Sequence, residues 1–509
     1  IIVNWLLIGP MRSMGATKGI MQTKVKSELL VSIILPLSIG LCLRCATMLH
    51  PYSGAGSPPM FGDYEAQRHW MEITVNLPAH NWYFNSTEND LNYWGLDYPP
   101  LTAYHSYLLG IIAQNVNASW VELHASRGLE TAEHKLFMRY TVLLSELLTY
   151  TPAVIYFVCT AVRHLTVTPC LSQGVLSLLM FSYPGLILID HGHFQYNCVS
   201  LGLFLLAFGF FCDDHNVFGT IAFCLALAYK QMELYHALPF FGFLLGHCLR
   251  QPPRRAVFQF VCLAFTVCTS FILVLLPFLS SNEQLAQLGF RLFPLARGLF
   301  EDKVANFWCI SSLAIKWRTL LATNTLLVAC TFLTLFASLP ACANLLWRPT
   351  KPRLAYAQVV VSLAFFLFSY QVHEKSILLC AVPALCLFPL TPVAAFYFCM
   401  VSTLSLWPLL LKDGLAHACV VLSVCFYALG FAFVHFNPSG RDPLALPAFW
   451  PLNMSMAIYF GLFVLQVIVS PPISYPFIFP LAVNAVSFGH FVGFFCFWYW
   501  CLFRLPKSL

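Results

Sequence analysis

Long apolar runs recur along this chain, and they constrain its fold more than any other feature of the sequence. A helix of about 20 predominantly apolar residues is long enough to cross the hydrocarbon core of a bilayer. Of the 509 residues, 59% are hydrophobic and only 9% are charged, whereas about a quarter of a soluble domain is charged. We therefore expect an all-α polytopic membrane protein with about 14 transmembrane helices. The runs cover residues 29–49, 138–162, 171–189, 196–211, 217–228, 234–248, 256–279, 320–346, 356–370, 377–389, 393–411, 416–434, 456–469 and 478–503.

Basic residues between these runs predict how the helices are oriented. Short loops rich in lysine and arginine stay on the cytoplasmic side of a membrane. Lys24, Lys26 and the basic clusters at 250–255 and 347–353 are therefore expected in the cytoplasm. This orientation requires the apolar segment 101–114 to stay out of the membrane; if that segment crosses, the 250–255 cluster lies on the other side. The start of the chain lacks an initiator methionine, and its first 20 or so residues are expected to precede the natural start.

Residues 50–137 then form one long loop on the non-cytoplasmic side. Acids outnumber bases in this loop, which is unlike the lysine-rich and arginine-rich loops of the cytoplasmic side. The loop carries sequons at Asn85 and Asn117, and a sequon on this side is open to N-glycosylation. We predict a glycan at Asn85. A third sequon, at Asn453, is predicted on the cytoplasmic side and is expected to stay bare.

The same topology places four further polar motifs on the face of that loop. Ionisable residues near the membrane interior cost roughly 2.5 kcal/mol or more each at a helix centre. Their collection on one face therefore indicates a polar site at the membrane boundary. The motifs are DHGHFQYN (190–197), YKQMELYH (229–236), RLFPLARGLFEDKVANFW (291–308) and QVHEKS (371–376).

Several other classes of protein are excluded or disfavoured by composition. The net charge of +6 does not indicate a nucleic-acid partner, because the bases are scattered in short clusters between apolar runs. Most cysteines lie inside apolar runs, as Cys224 and Cys262 do, where a thiol behaves as a small hydrophobe rather than as part of a disulfide framework. His191 and His193 lie beside an aspartate but lack a further set of ligands. We expect neither a metal nor a cofactor.

Six motifs, taken together, carry a resemblance to a known family. They are FGDYEAQRHW (61–70), WGLDYPPLTAYHS (94–106), HGHFQYN (191–197), YKQMELYHALPFF (229–241), RLFPLARGLFEDKVANFWC (291–309) and QVHEKSIL (371–378). This set resembles the endoplasmic-reticulum glucosyltransferases that use dolichyl-phosphate glucose, and the likeness runs from about residue 52 to residue 412. The strings GDYEAQRHW and LFEDKVANFW favour the branch that adds the first glucose to the nine-mannose lipid-linked oligosaccharide. The paralogous branch that adds the second glucose shares HFQYN and DYPP.

The resemblance implies a GT-C glycosyltransferase fold, with a large first luminal loop that contains amphipathic helices. It also implies an inverting α-1,3 transfer at the luminal face of the endoplasmic-reticulum membrane. The implied partners are dolichyl phosphate glucose as donor and a dolichyl-pyrophosphate oligosaccharide as acceptor. The expected divisions are a cytoplasmic segment 1–28, a first transmembrane helix 29–49, the luminal loop 50–137, and a multi-span domain 138–509 with luminal loops at 190–196, 229–236, 280–319 and 371–376.

An inverting transfer to a sugar hydroxyl needs a carboxylate as general base. A positioned base contributes roughly a hundred-fold to ten-thousand-fold to the rate. Asp63 matches the position of the family's catalytic aspartate, and the resemblance implies this role for it; the alternative is a cap on a helix that begins at Tyr64. Asp97, whose neighbouring prolines restrict the backbone, is expected to orient the acceptor, to replace Asp63, or to cap a helix that begins at Pro99 or Pro100. Glu65 is a further candidate.

The leaving phosphate needs positive charge or hydrogen-bond donors rather than an acid. Arginine offers a planar fork and lysine a compact charge. His373 is favoured, because histidine, glutamate and lysine together at a helix end are rarely structural; the loop bases are as readily solvated or bound to lipid head groups. Trp94 is expected among the aromatic residues that line the acceptor site, although membrane interfaces enrich the same residue type. The candidate phosphate ligands are His373, Lys375, Arg291, Arg297 and Lys303.

Other functions remain open at the level of sequence. A mannosyltransferase that uses dolichyl-phosphate mannose would share the architecture and differ in the donor. A lipid transporter would also be polytopic with polar residues at depth, but transporters are commonly built from internal repeats, and we find none in this sequence.

Overall fold

The computed structural model of the protein describes residues 18–165, 173–294, 298–299, 303–436 and 445–506, and none of these residues lies in a strand. The α-helices are Lys18–Met48, Asp63–Asn76, Pro100–Val116, Ala132–Leu148, Tyr150–His164, Gln173–Ser182, Pro184–Ile187, Asn197–Cys212, Asn216–Tyr229, Ala237–Leu249, Pro253–Leu275, Asn282–Leu292, Phe307–Ser311, Trp317–Leu320, Thr323–Trp347, Lys351–Phe368, Leu378–Cys386, Pro392–Leu404, Trp407–Lys412, Ala416–Phe436, Ala445–Ile468 and Ile478–Arg504. Short 3₁₀ turns occur at Ala79–Asn81, Ala118–Trp120, Gln231–His236, Leu276–Phe278 and Glu374–Ile377.

Within the described residues, 10 helical segments are long and apolar enough to cross a membrane. The predicted class, an all-α polytopic membrane protein, is therefore confirmed, whereas the predicted count of about 14 spans is not. The segments are Val31–Met48, Ala132–Ala161, Gln173–Phe194, Pro253–Phe278, Thr323–Trp347, Lys351–Phe368, Pro392–Lys412, Ala416–Phe433, Pro451–Ile468 and Ile478–Arg504.

The difference in count comes from four predicted runs that form short helices. The runs at 196–211 and 217–228 give helices of 16 and 14 residues, and those at 234–248 and 377–389 give helices of 13 and 9 residues. All four are shorter than the ~20 residues that a straight crossing needs. Hydropathy measures how apolar a run is, but it does not show where regular helix begins, and the last two helices each follow a polar 3₁₀ turn.

The helices are arranged with a buried centre and a lipid-facing periphery. In the apolar 18-residue stretch of Pro392–Lys412, 94% of the residues are buried, and the corresponding share for Gln173–Phe194 is 83%. For Pro253–Phe278 the share is only 6%. The exposed side chains of the last segment are large and apolar, Phe258 and Phe265 among them, as a surface in contact with lipid requires. Polar side chains that lie in the central helices are consequently shielded from lipid and can form a site.

The first loop folds onto this centre through two helices. Asp63–Asn76 packs against Pro100–Val116, and Gly110 permits the close approach, because a Cβ atom there would lie 2.4 Å from Cγ2 of Val75. Pro100–Val116 also contacts the membrane helices: the Tyr104 hydroxyl donates to the carbonyl of Val274 at 2.8 Å. Pro100–Val116 is not among the ten spanning segments of the described residues. The loop is thus anchored on the helices that it covers.

Two helices begin before the apolar runs that they contain. Among the described residues, the helix Lys18–Met48 includes the candidate span Val31–Met48, which agrees with the predicted run 29–49, and residues 1–17 lie outside the described part of the chain. The helix that follows the first loop begins at Ala132 rather than at 138. The hydroxyl of Thr131 caps its first turn by accepting from the His134 amide at 3.3 Å, a role that threonine performs well.

Candidate active site

Asp63 is the first residue of the helix Asp63–Asn76. Gly62 precedes it with φ of 80°, a conformation that glycine adopts at little cost. The Asp63 amide donates to the hydroxyl of Ser53 at 3.4 Å, and the Asp63 carboxylate turns toward distant parts of the chain instead of capping its own helix. The local backbone therefore leaves this carboxylate available to other elements.

Three side chains converge on one oxygen of this carboxylate. Oδ2 of Asp63 lies 2.5 Å from Nζ of Lys375, 2.5 Å from Nε2 of Gln195 and 3.1 Å from Nε2 of His193. The Asp63 side chain keeps 24% of its surface exposed, so a substrate can still reach it. His193 in turn contacts Asp413, with 2.5 Å between Nδ1 and Oδ2. We call these five residues the Asp63 cluster.

The backbone that supplies His193 and Gln195 has an unusual geometry. Leu188–Phe194 is a single stretch of π-helix, a form that is rare and frequent at functional sites. Phe194 ends it with φ of 93°, which costs a non-glycine residue about 1–3 kcal/mol. Asp190 secures the start of the next helix by accepting from the Cys198 amide at 2.6 Å. This sharp change of direction brings the two side chains to Asp63.

Lys375 and His373 come from the QVHEKS motif. His373 precedes the 3₁₀ turn Glu374–Ile377, and its carbonyl accepts from the Ser376 amide at 3.0 Å. Burial and the neighbouring charge of Lys375 hold the pKa of His373 well below its usual range. The imidazole of His373 is therefore neutral beside the cluster and can act as a neutral hydrogen-bonding group.

Electrostatics keep the Asp63 carboxylate charged. Burial by itself raises the pKa of Asp63, but the charge of Lys375 and the contact with His193 outweigh it and hold that pKa well below its usual range. Lys230 is a second cation close by: burial, together with repulsion from Lys375, lowers its pKa to about 8. Nζ of Lys230 donates to Oδ1 of Asn197 at 2.5 Å. The site thus pairs a carboxylate with cations at the edge of the membrane core.

A cleft lies beside the cluster, and its space measures about 260 Å³ when the open solvent at its mouth is included. Gln195 belongs both to its wall and to the cluster, so the cleft adjoins the side chains that surround Asp63. Its walls combine tyrosine rings with hydrogen-bonding groups, a lining that suits a sugar. The lining residues are Gln67, Tyr98, Thr102, Gln195, Tyr196, Asn197, Tyr229 and Lys230.

The loop WGLDYPP, which contains Trp94 and Asp97, lies in a neighbouring part of the site. Arg291 holds the backbone of this loop. Arg291 donates from Nη2 to the carbonyl of Gly95 at 2.6 Å and from Nε to the carbonyl of Leu96 at 3.0 Å. The carbonyl of Asp97 accepts from Nε2 of Gln231 at 3.0 Å. Trp94 has φ of 50° and donates its indole N–H to the carbonyl of Met60, which ties this loop to the segment before Asp63.

The remaining predicted residues lie elsewhere. Glu65 is buried within the first loop, with Oε1 at 2.6 Å from Nη2 of Arg68 and at 2.8 Å from the Tyr93 hydroxyl. Nζ of Lys303 lies 3.6 Å above the ring of Phe477. Arg297 falls outside the described residues. The structure therefore joins Lys375 directly to Asp63, and it places Glu65 in an ion pair of the loop interior.

Sequence reasoning assigned no role to His193, Gln195 or Asp413. The first two belong to the motif HGHFQYN, which the sequence assigns to the polar site and to the family resemblance; of its side chains, only the histidines are weighed there, as metal ligands. Asp413 lies two residues beyond the end of the apolar run 393–411. Counting alternate crossings from the first loop would have put it on the same face as Asp63. An acid at a helix end on the active face is therefore the signal that could have identified it.

The ALG6, ALG8 glycosyltransferase family matches residues 37–498. The dolichyl pyrophosphate Man9GlcNAc2 alpha-1,3-glucosyltransferase of Gallus gallus is 45% identical over 477 residues, which cover 90% of this chain and 93% of that protein. The protein of the same name from Pongo abelii is 49% identical over 414 residues, 81% of each chain. A probable enzyme of that name from Drosophila melanogaster is 43% identical over 92% of this chain and 97% of its own.

Proposed function

Because this chain belongs to the ALG6, ALG8 glycosyltransferase family, we propose that it transfers glucose in α-1,3 linkage to the Man9GlcNAc2 oligosaccharide of a dolichyl-pyrophosphate acceptor. The names of its relatives state this acceptor and this linkage. The donor in the proposal is dolichyl phosphate glucose, as the motifs of the sequence imply. The observation that carries the proposal is the pairing of Asp63 with Lys375 at 2.5 Å, beside a cleft at the edge of the membrane helices.

In this proposal Asp63 is the general base. An acceptor mannose hydroxyl attacks the anomeric carbon from the face opposite the phosphate, and the carboxylate removes its proton. A carboxylate with part of its surface open can meet that hydroxyl. Its strong pairing with Lys375 keeps it ionised, which a base requires before the reaction.

Lys375 is the proposed partner of the donor phosphate. A phosphate that enters beside Asp63 offers Lys375 a second anion, and a lysine is a flexible point charge that can move between two anions. Movement of Lys375 toward the phosphate would leave Asp63 with less compensating charge and hence with a higher affinity for a proton. Donor binding would in this way prepare the base. His373 supplies a neutral hydrogen bond to the same phosphate in this proposal.

The other predicted site residues have different proposed roles. Arg291 holds the backbone at Gly95 and Leu96, which supports a role in shaping the WGLDYPP loop around the acceptor. Asp97 and Trp94 on that loop are proposed to contact acceptor sugars. For Glu65, the buried pair with Arg68 supports a part in holding the loop together, and contact with substrate stays a prediction. Lys303 and Arg297 stay predictions as phosphate ligands.

We place the site on the luminal side of the endoplasmic-reticulum membrane in this proposal. Lys351 begins the segment Lys351–Phe368 and Lys375 follows its other end, so the two lysines are at opposite ends of one spanning helix. Lys351 pairs with Asp214 at 2.9 Å, and Arg250 reaches the carbonyl of Leu346 at 3.2 Å. Basic residues thus gather at the end away from the Asp63 cluster, and the positive-inside rule assigns that end to the cytoplasm.

A reconstitution experiment tests the function. The purified protein is placed in liposomes with dolichyl phosphate glucose and the Man9GlcNAc2 acceptor, and the product is weighed and its linkage determined. We expect one added hexose in α-1,3 linkage, with none from dolichyl phosphate mannose. Transfer only to an acceptor that already carries one glucose would assign the protein to the second-glucose branch. No transfer of either sugar by the folded protein would refute the proposal.

A further inference from the structure

His193 and Asp413 form a buried pair directly behind Asp63. Nδ1 of His193 lies 2.5 Å from Oδ2 of Asp413, and only 2% and 4% of the two side chains is exposed. Asp413 terminates the helix Trp407–Lys412, where its amide donates to the carbonyl of Leu409 at 3.1 Å. Gly192 allows the π-helical stretch to approach this end, because a Cβ atom there would lie 2.9 Å from Cδ1 of Leu415. Both partners are therefore fixed by backbone that packs closely.

The two ring nitrogens of His193 have different hydrogen-bond partners. A carboxylate at hydrogen-bond distance from one ring nitrogen keeps the N–H on that nitrogen. Both ring nitrogens face a carboxylate, but the contact of Nδ1 with Asp413, at 2.5 Å, is shorter than that of Nε2 with Asp63, at 3.1 Å, so Nε2 is the exchangeable nitrogen. This atom lies 3.1 Å from Oδ2 of Asp63 and 3.0 Å from Nζ of Lys375. Its lone pair can accept from Lys375 at rest, and it can accept a proton from Asp63 once Lys375 has moved.

We propose that His193 receives the acceptor's proton from Asp63, and that Asp413 is a positioning residue that fixes the tautomer and orientation of His193 for this transfer. The proposal rests on the proposed function and deepens it. The bond from the acceptor oxygen to the anomeric carbon forms while the bond from that carbon to the phosphate oxygen breaks, and its electron pair leaves with dolichyl phosphate. The proton goes to Oδ2 of Asp63 and then to Nε2 of His193, which restores the carboxylate.

The charged groups around His193 favour this order of events. Asp63 and Asp413 flank its two ring nitrogens, so the imidazolium formed by the transfer lies between two carboxylates. Lys375 opposes a second positive charge while it occupies its resting position. From the opposite side, Nη2 of Arg139 donates to the carbonyl of Gly192 at 2.9 Å, and the neutral His373 lies nearby. Movement of Lys375 to the phosphate removes this opposition, so the two carboxylates then favour the imidazolium more strongly.

The test compares Asp413→Asn with Asp213→Asn in the reconstituted full-length protein. Asp213 is a matched control, because it also follows the end of a helix and also contacts a histidine, with 2.9 Å between its Oδ1 and Nε2 of His164. Its neighbour Asp214 pairs with Lys351, at the end of a spanning helix away from the Asp63 cluster. Turnover and the KM for dolichyl phosphate glucose are measured across pH. We expect Asp413→Asn to lower kcat by on the order of 100-fold with little change in KM, and Asp213→Asn to behave as the unchanged protein.

The pH profile separates this role from a merely structural one. His193 must be neutral at Nε2 to receive a proton, so kcat falls on the acid side as His193 becomes charged. Loss of the Asp413 charge disfavours the imidazolium, and the acid limb of kcat should therefore move to lower pH in Asp413→Asn. Asp413→Glu keeps the charge and should retain the position of the limb. A lower kcat at every pH with no movement of the limb would overturn the proposal.

A second variant keeps the test decisive if Asp413→Asn does not fold. His193→Gln keeps a donor near Asp63 but offers no nitrogen that can be protonated, and we expect a comparable loss of kcat. Wild-type turnover in folded His193→Gln would overturn the proposal. If the unchanged protein transfers no glucose, the proposed function itself fails; if it transfers glucose and folded Asp413→Asn equals it, only the inference about His193 and Asp413 fails.

Discussion

Asp63 and Lys375 are 312 positions apart in the chain, yet Oδ2 of the first lies 2.5 Å from Nζ of the second. One residue begins a helix of the first loop, and the other belongs to a 3₁₀ turn that follows a buried span. Their pairing joins the two parts of the chain that the proposed reaction needs, a base for the acceptor and a cation for the donor phosphate. In the proposed mechanism it also holds the base in an ion pair until the donor phosphate binds.

Replacement of Asp63 by asparagine should abolish most of the glucose transfer. The amide keeps the shape of the side chain but cannot take a proton, and a general base contributes roughly a hundred-fold to ten-thousand-fold. We expect a loss of kcat in that range, with the fold intact by size-exclusion chromatography. Asp90→Asn is the control, since Asp90 is an exposed residue of the same loop. Turnover near that of the control would exclude Asp63 from the mechanism.

Replacement of Lys375 by methionine should weaken donor binding. Hydrogen bonds to charged groups contribute about 1.5–3 kcal/mol, which corresponds to roughly a 10-fold to 100-fold higher KM for dolichyl phosphate glucose. The KM for the acceptor should change much less. Lys351→Met provides a matched loss of charge, because Lys351 pairs with Asp214 at the far end of a spanning helix. Equal effects of the two variants on donor KM would contradict the assignment.

Glu72 should stabilise the first loop in a pH-dependent way. Burial tends to raise its pKa, but His69 and Arg68 outweigh that effect and lower it from 4.5 to about 2. A carboxyl group with a lowered pKa in the folded state contributes stability above its unfolded pKa and loses that contribution as pH falls through the folded value. Glu72→Gln should lower the free energy of unfolding by about 3 kcal/mol at neutral pH.

Thermal unfolding in detergent measures this effect. The difference in Tm between the unchanged protein and Glu72→Gln should be largest above pH 4.5 and should narrow as pH falls toward 2. Glu122→Gln, at an exposed position of the same loop, should leave Tm unchanged throughout. A difference that stays constant with pH would show that Glu72 acts through packing rather than through its charge.

The glycan at Asn85 reports the side of the membrane on which the first loop lies. Asn85 is exposed, so a luminal loop makes it accessible to glycosylation. Asn453 is held inside a helical segment, where its Oδ1 accepts from the hydroxyls of Tyr397 at 2.6 Å and Tyr427 at 2.7 Å. We expect Asn85→Gln to increase gel mobility and to reduce the mobility shift on deglycosylation. Asn453→Gln should leave both unchanged, and the opposite pattern would reverse the topology.

Several features of the site followed from the sequence because they depend on residue type and local position. The acid in FGDYEAQRHW and the lysine in QVHEKS were both predicted as site residues, and the structure brings Asp63 and Lys375 together. Glu65 lies only two residues from Asp63, yet it pairs with Arg68 one turn along the same helix. Sequence alone could not separate the two acids, because the start of the helix determines which carboxylate points into the loop interior.

By itself, the sequence determined that the chain is a membrane protein of helices, because about 20 apolar residues in a row can satisfy their backbone only as a helix in lipid. It also determined which motifs carry the polar site. The tertiary structure alone decided that four of the runs are short helices and that His193, Gln195 and Asp413 surround Asp63. The physical reason is that hydropathy depends only on residues that are neighbours in the chain. The partner of a buried charge depends instead on how helices far apart in the sequence pack together.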